Sequence, residues 1–271
     1  MCELCPRRCG VDRSSGATGF CGAGGSAVRI SRAALHAWEE PCISGTRGSG
    51  TIFFSYCTLR CVYCQNLPVS RGIAGIEVEI SRLAEIMLEL EAQGAHNINL
   101  VTPTHYAAQI LEAIEIARGR GLSLPIVYNT GGYELSSAIE RLRGAVDIFL
   151  TDYKYATNAD ALRYSGAADY IENADAALAK MVELAPLSFS SDGLLRSGVI
   201  VRHLLLPGKL TAAKNVLKRI FTRYQNRIYY SLMSQYTPVP GVPEELNRTV
   251  TKREYACLTA YADRLGIETA Y

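Results

Sequence analysis

The sequence predicts an α/β fold: a partial (β/α)6 TIM-type barrel preceded by a small Cys-rich N-terminal appendage. From about residue 51 onward, six segments with strand character alternate with helical segments. Such alternation is typical of a parallel sheet with right-handed crossovers. Six units are too few for a closed eight-stranded barrel, so we expect a partial one. Residues 1–50 are instead rich in glycine, serine and cysteine, so we assign them to the appendage and residues 51–271 to the barrel.

Each element of the barrel has its own sequence pattern. The first strand, 51–56, is β-branched and aromatic and follows a glycine-rich loop. The first helix, 81–94, has apolar residues at helical spacing, a serine that can cap its start and a glycine that can end it. The further strands are predicted at 96–101, 124–128, 145–151, 198–205 and 227–233. The further helices are predicted at 105–119, 134–143, 159–184 with an interruption near Gly166, 210–223 and 250–266.

The composition is that of an ordinary globular protein. The 271 residues are 48% hydrophobic and 20% charged, and the net charge is +2. This near-neutral balance argues against nucleic acid as a partner, because a basic surplus supplies most of the affinity for phosphates. No apolar run approaches the roughly 20 residues that span a bilayer, and the start of the chain has no apolar secretory segment. We therefore expect a cytoplasmic protein with neither nucleic acid nor membrane as a partner.

Seven of the nine cysteines fall into two groups. Clustered thiols in a reducing compartment are more often metal ligands or catalysts than disulfides. The two isolated cysteines, Cys42 and Cys257, are instead expected to be small buried hydrophobes. The N-terminal group, spaced C-x2-C-x3-C-x11-C, consists of Cys2, Cys5, Cys9 and Cys21. The second group, spaced C-x3-C-x2-C, consists of Cys57, Cys61 and Cys64.

The second group predicts an iron–sulfur centre. A structural zinc site takes four protein ligands, whereas a [4Fe–4S] cluster held by three cysteines leaves one iron open. The three cysteines follow the first predicted strand, and a barrel places its active site at the carboxyl ends of its strands. The alternative interpretation of these three cysteines is a zinc knuckle, and we favour the iron–sulfur cluster.

The N-terminal group predicts a second metal centre. Four thiolates can close a tetrahedral zinc site or hold a second iron–sulfur cluster, and the spacing does not choose between them. Arg7 and Arg8 stand among the cysteines and would offset the charge of their thiolates. We expect this centre to stabilise the appendage.

Several segments together resemble the radical S-adenosylmethionine (SAM) superfamily. Within it, the chain looks like the glycyl-radical-enzyme activases related to pyruvate formate-lyase activating enzyme, and more narrowly like the PflX-type proteins. The resemblance implies that SAM chelates the open iron through its amino and carboxylate groups. It also implies that an electron from the cluster, supplied by a donor such as flavodoxin or ferredoxin, cleaves SAM to a 5′-deoxyadenosyl radical. The segments that carry it are CELCPRRCG, GSGTIFF, CTLRCVYCQN, VTPTH, YNTGGY, TDYKY and VRHLLLPG.

The resemblance implies a set of SAM-binding residues. Tyr63 would pack near the adenine, and Asn66 would lie near the bound SAM. Asn129 would face the ribose hydroxyls. Asp152 would meet the methionyl ammonium group and Lys154 the carboxylate, as opposite charges suit a zwitterion. The alternatives are purely structural roles: a core tyrosine for Tyr63, a turn residue for Asn129 and an ion pair for the two charged residues.

Two further features complete the expected site. Arg202, on the fifth predicted strand, would hold SAM or the substrate. The Gly-Gly-Glu motif that the superfamily places after its second strand is missing, and Thr102 and Thr104 replace it by position only. His105 is either an acid or base toward the substrate or simply a helix-start residue. The segment 131–134 resembles the missing motif but has an extra residue and follows the third strand.

Three functions remain open at this point. The first is an activase that abstracts hydrogen from a glycine of a partner glycyl radical enzyme. The second is radical modification of a small molecule or peptide without such a partner. The third, from another class, is a non-catalytic iron–sulfur module that senses redox state. The sequence does not name a substrate.

Overall fold

The structure, a computed structural model that describes residues 1–270, is built around a nine-stranded sheet. Helices follow the parallel strands and cover the sheet. The strands are β1 (Val28–His36), β2 (Ser49–Phe54), β3 (Ile76–Val78), β4 (Ile98–Val101), β5 (Ile126–Thr130), β6 (Ile148–Asp152), β7 (Ser188–Phe189), β8 (Leu195–Leu204) and β9 (Tyr229–Met233). The helices are α1 (Pro41–Ser44), α2 (Leu67–Ser70), α3 (Ile80–Ala92), α4 (Ala107–Gly119), α5 (Ser136–Glu140), α6 (Asn158–Ser165), α7 (Tyr170–Leu184), α8 (Leu210–Tyr224) and α9 (Lys252–Leu265).

The parallel part of the sheet has the strand order β2-β4-β5-β6-β8-β9. These are the six strands that the sequence pattern predicts, so the predicted partial barrel is confirmed. β5 and β6 are buried along almost their whole length, as is typical of parallel strands covered on both faces. Within residues 1–270 the strands pair along an open path, so the two ends of the sheet, at β1–β3 and at β9, are not paired with each other.

Buried apolar residues, a glycine and a capping residue account for the positions of α3, α6 and α9. α3 buries Leu83, Met87 and Leu90, which recur at helical spacing and pack on the sheet. The predicted interruption of the helical segment 159–184 is observed: Gly166 adopts a left-handed conformation with φ of 59° and ends α6. α9 starts with a capping box in which the side chain of Thr251 accepts from the third backbone N–H of the helix. These features position the loops that follow each strand.

The sheet begins earlier in the chain than the predicted boundary at residue 50. β1 pairs antiparallel with β2 and with β3, and it buries Val28 and Ile30. Its apolar residues alternate only at its start, and they follow a segment rich in glycine, serine and cysteine, so the composition conceals the strand. The segment outside the sheet is therefore 1–27, while the division into domains stays a prediction.

Across residues 1–270, no helix has both the length and the apolar character that crossing a membrane requires.

Candidate functional site

A cavity of about 190 Å³ lies at the carboxyl ends of the parallel strands. The segments after β4, β5 and β6 reach it, and β8 contributes Arg202 from within the strand, because the carboxyl ends of parallel strands meet at one edge of a sheet. The cysteine loop after β2 forms its other wall. The predicted residues that line this cavity are Cys57, Cys61, Cys64, Asn66, Thr102, Thr104, Asn129, Asp152, Lys154 and Arg202. The structure thus brings together residues that are spread over 146 positions of the sequence (57 to 202).

Two of the three thiols of the cavity, those of Cys57 and Cys61, accept hydrogen bonds from the surrounding protein. The backbone N–H of Leu59 donates to Cys57 Sγ at 3.4 Å, and Ser165 Oγ donates to Cys61 Sγ at 3.0 Å. Burial, and to a smaller extent the neighbouring Cys61, raise the pKa of Cys57 to about 11. A thiol must lose its proton to bind a metal, and donors aimed at the sulfur favour the thiolate. This set of soft sulfur donors fits an iron–sulfur cluster.

Three residues around the cavity have left-handed backbones although none is glycine. They are Tyr56 (φ 74°), Arg60 (φ 52°) and Thr102 (φ 59°). Such a conformation costs about 1–3 kcal/mol and persists only where the surrounding structure enforces it, often at functional sites. Tyr56 and Arg60 bracket the first cysteine of the loop, and Thr102 follows β4. Of the five non-glycine residues with left-handed backbones in residues 1–270, these three lie where loops turn into the cavity, and the other two are Arg8 and Gln225.

A charged network crosses the cavity wall. Lys154 Nζ lies 2.5 Å from Asp152 Oδ2, and Arg202 Nε lies 3.0 Å from Asp152 Oδ1. Arg202 also donates to Asn129 Oδ1 at 2.6 Å and lies 3.5 Å from Glu39 Oε2. Burial alone would raise the pKa of Asp152, but Lys154 and Arg202 hold it below its ordinary value. The Asp152 carboxylate is therefore ionised at neutral pH.

A second, outer chamber of about 440 Å³ adjoins the cavity and shares nine lining residues with it, among them Cys61, Cys64 and Arg202. His36 and Trp38 line it on the β1 side of the sheet, and Met233 and Gln235 line it on the β9 side. The chamber therefore lies between the two unpaired ends of the sheet. The side chain of Trp38 is 89% exposed.

The sequence did not identify the residues that β1 and its loop contribute to the site. Glu39 lies against Arg202 and is only 9% exposed, so its carboxylate faces the site rather than the solvent. No motif marks a glutamate in this position. The single tryptophan of the chain, Trp38, was the available signal, because an exposed aromatic residue often marks a binding surface.

Tyr63 lines the outer chamber and not the inner cavity. Its ring packs edge-on against Tyr155, Tyr164 and Tyr236. Its hydroxyl donates to that of Tyr155 at 3.0 Å. The structure thus gives Tyr63 the contacts of a core tyrosine beside the chamber, and its role toward adenine stays a prediction.

The loops that replace the Gly-Gly-Glu motif meet around a buried glutamate. Thr104 Oγ1 donates to Glu134 Oε1 at 2.5 Å, and Thr130 Oγ1 donates to the same oxygen. Glu134 Oε2 is buried, and no hydrogen bond reaches it within the described residues. Burial raises the pKa of Glu134 to about 7. The glutamate of the segment 131–134 therefore lies behind the cavity wall, where it supports the two threonines.

His105 is directed toward the core. Its Nε2 lies 2.8 Å from the carbonyl oxygen of Ser55, and burial lowers its pKa to about 4. It stands in the 3-10 turn Thr104–Tyr106 that leads into α4, and neither the cavity nor the outer chamber is lined by it. This placement favours a helix-start residue over an acid or base toward the substrate.

The N-terminal cysteines share one neighbourhood in segment 1–27. Burial, with smaller contributions from the charges of Glu134, Cys21 and Cys2, raises the pKa of Cys5 to about 12. Burial also raises the pKa of Cys21, and Cys2 and Cys9 contribute. Cys2 is held in place, since its backbone N–H donates to the carbonyl of Val11 at 2.8 Å. Among residues 1–270, no three Cys, His, Asp or Glu side chains are placed so as to surround one metal ion, and both metal centres stay predictions.

The N-terminal segment packs directly on the cysteine loop. Arg7 Nε donates to the carbonyl of Thr58 at 2.9 Å, and Arg7 Nη2 donates to that of Ser165 at 2.7 Å. In return, Arg60 Nη2 donates to the carbonyl of Cys21 at 3.0 Å. The guanidinium groups of Arg7 and Arg60 both lie over the ring of Phe20. The appendage and the site therefore support each other.

The fold is similar to that of a radical SAM methyltransferase from Sphaerobacter thermophilus. The two structures superpose with a TM-score of 0.58 at 13% identity, over 82% of this chain and 65% of the methyltransferase chain. This chain therefore spans slightly less than two thirds of that structure's length. In sequence, it is 26% identical over 281 residues to an uncharacterised protein from Methanocaldococcus jannaschii, over 100% of this chain and 76% of that protein. No family model matches the chain.

The shared fold agrees with the expected superfamily at the level of architecture. The matched structure is a radical SAM protein, and the sequence motifs resemble the same superfamily. The activase branch and the PflX-type likeness stay predictions.

Proposed function

We propose that the protein is a radical SAM enzyme whose cluster is held by Cys57, Cys61 and Cys64. One observation carries the proposal: the three cysteines and the charged residues expected to bind SAM line a single cavity at the carboxyl ends of the strands. When bound, a [4Fe–4S] cluster and SAM would supply the electron and the 5′-deoxyadenosyl radical that abstracts hydrogen from a substrate.

The side chains of the cavity suit the parts of SAM. Asp152 stays ionised because Lys154 and Arg202 lower its pKa, so it can accept hydrogen bonds from an ammonium group. Lys154 carries the positive charge that a carboxylate requires. Asn129 Oδ1 accepts from Arg202, which orients the amide so that its NH2 group is the donor available to a ribose hydroxyl.

We infer that the substrate enters through the outer chamber. It adjoins the cavity and lies between the unpaired ends of the sheet, where a chain segment can pass without displacing a strand. An opening of this kind would admit a glycine loop of a partner glycyl radical enzyme, which is the first candidate substrate. The second candidate is a small molecule or peptide, and the same opening would admit it.

The test is anaerobic reconstitution of the full chain with iron and sulfide. We expect about four irons at this site and release of 5′-deoxyadenosine when SAM and a reductant are added. A variant with all three cavity cysteines changed to alanine, the triple variant, is expected to lose both. Cys257→Ala, which removes a thiol from α9 outside the cavity, is the matched control and is expected to retain both.

The outcomes separate the candidate functions. Cleavage of SAM by the triple variant would contradict the assignment of the cluster. Bound iron without any cleavage of SAM would favour the non-catalytic redox module. Cleavage that accelerates when a glycyl radical enzyme is added, with a radical on that enzyme detected by electron paramagnetic resonance, would favour the activase.

A further inference from the structure

A line of three hydroxyl groups leads through the core to the sulfur of Cys61. Ser165 Oγ donates to Cys61 Sγ at 3.0 Å. The hydroxyl of Tyr155 contacts Ser165 Oγ, and the hydroxyl of Tyr63 donates to that of Tyr155 at 3.0 Å. All four side chains are buried. Neither the fold nor the proposed chemistry of the cavity requires this arrangement.

The number of available protons determines which group donates and which accepts in each hydrogen bond of this line. Each hydroxyl has a single proton to donate. A Cys61 that ligates iron is a thiolate without a proton, so Ser165 must supply the hydrogen between them. Ser165 then has no proton for Tyr155, so Tyr155 donates to Ser165 and Tyr63 donates to Tyr155. All three hydroxyl dipoles point toward the sulfur, and in a buried chain each bond polarises the next.

The surrounding structure holds the line in place. The backbone N–H of Val62, next to Cys61, donates to the carbonyl of Tyr164 at 2.8 Å, which ties the cysteine loop to the end of α6. Arg7 donates to the carbonyl of Ser165 at 2.7 Å. The ring of Tyr155 is stacked on that of Tyr164 and meets that of Tyr170 edge-on at 5.1 Å. The hydroxyl of Ser165 is therefore fixed relative to the sulfur from both sides.

We propose that Ser165, supported by Tyr155 and Tyr63, is a positioning residue that makes the cluster easier to reduce. A reduced cluster carries one more negative charge than an oxidised one, so hydrogen bonds to its sulfurs stabilise the reduced form and raise the reduction potential. The inference rests on the proposed function, since it requires a cluster on Cys61. The three residues act through Cys61 and are not catalytic residues.

The test is a redox titration of the reconstituted full-length protein, monitored by electron paramagnetic resonance in the absence of SAM. Because Ser165→Ala removes a hydrogen bond to a charged acceptor, we expect the equilibrium constant for reduction to fall about tenfold, or about 59 mV toward more negative potential for one electron. Tyr155→Phe is expected to shift the potential in the same direction by less. Ser165→Thr retains the hydroxyl and is expected to restore the potential toward that of the wild type.

Ser70→Ala is the matched control, because Ser70 is also buried near the cavity but bonds the carbonyl of Leu67 at 3.2 Å and not a cysteine. Its potential is expected to equal that of the wild type. Tyr155→Phe leaves Ser165 intact and so tests the line even where Ser165→Ala loses iron. An unshifted potential in Ser165→Ala would overturn the inference, and so would an unshifted potential in Tyr155→Phe where Ser165→Ala loses its iron. Failure of the wild type to take up a cluster would instead overturn the proposed function, before any variant is compared.

Discussion

Replacing Lys154 with alanine would leave Asp152 paired with Arg202 alone. In the structure Lys154 Nζ lies 2.5 Å from Asp152 Oδ2, and the two side chains are only 19% and 16% exposed. Removing one partner of a buried ion pair costs about 3–5 kcal/mol. Because Arg202 Nε still lies 3.0 Å from Asp152 Oδ1, the uncompensated charge is partly relieved. We therefore expect the free energy of unfolding to fall by roughly 3 kcal/mol or less.

The same substitution has a second, independent effect if Lys154 binds the carboxylate of SAM. A hydrogen bond to a charged group contributes about 1.5–3 kcal/mol, so SAM affinity would fall about tenfold to a hundredfold. Asp152→Asn is expected to weaken binding less, because an amide still accepts a hydrogen bond but has lost the charge. Neither residue belongs to the cysteine group, so the iron content should stay at the wild-type level.

Both effects can be measured on the same reconstituted variants, by equilibrium titration with SAM and by thermal unfolding. Lys209→Ala is the matched control, because Lys209 Nζ pairs with Asp160 at 3.0 Å and does not line the cavity. It is expected to leave SAM affinity unchanged. A Lys154→Ala variant with a lowered melting temperature and unchanged SAM affinity would refute the cofactor role and leave a structural ion pair.

Three further predictions follow from buried or strained groups. Burial raises the pKa of Glu134 to about 7 from an ordinary value of 4.5, so the folded state holds this proton more tightly than the unfolded state, and stability falls as pH rises from about 4.5 to 7. Glu134→Gln should remove this loss, roughly 3 kcal/mol across the window, and a variant that loses stability as steeply as the wild type would contradict the assignment. Thr102→Gly should relieve the left-handed backbone (φ 59°) and raise the free energy of unfolding by about 1 kcal/mol in denaturant titrations, whereas a fall would show that the threonine side chain matters more than the strain. The triple variant should still bind zinc or iron through its N-terminal cysteines, and elemental analysis that finds neither metal would contradict a second centre.

The periodicity of the chain was sufficient to predict the parallel core of the fold. The parallel strands are apolar and long enough to show a pattern, and each is followed by a helix. The antiparallel strands escaped prediction for physical reasons. β3 has three residues and β7 has two, too few for alternation to appear. β1 buries Val28 and Ile30 at its start, but its second half is partly exposed.

The sequence predicted those site residues that a local pattern marks, and it missed those that meet the site only through long-range folding. The cysteine loop and the strand ends fall at fixed places along the chain, so Cys57 and Asp152 could be assigned to one edge of the sheet. Glu39 meets Arg202 only after β1 has folded back onto β2, and no local pattern encodes that contact. Glu134 could be noticed but not placed, because its partners Thr104 and Thr130 follow different strands.

The contact of Arg7 with Ser165 has a consequence for how the protein is made. The two residues are 158 positions apart, so the N-terminal segment cannot complete its packing until α6 has left the ribosome. At about 5–20 residues per second, translation of the intervening chain takes roughly 8 to 32 seconds. Throughout this interval the thiols of the nascent N-terminus lack the cover of the finished barrel. A metal delivered during synthesis would bind these thiols in the same period in which oxidants and other metals can reach them.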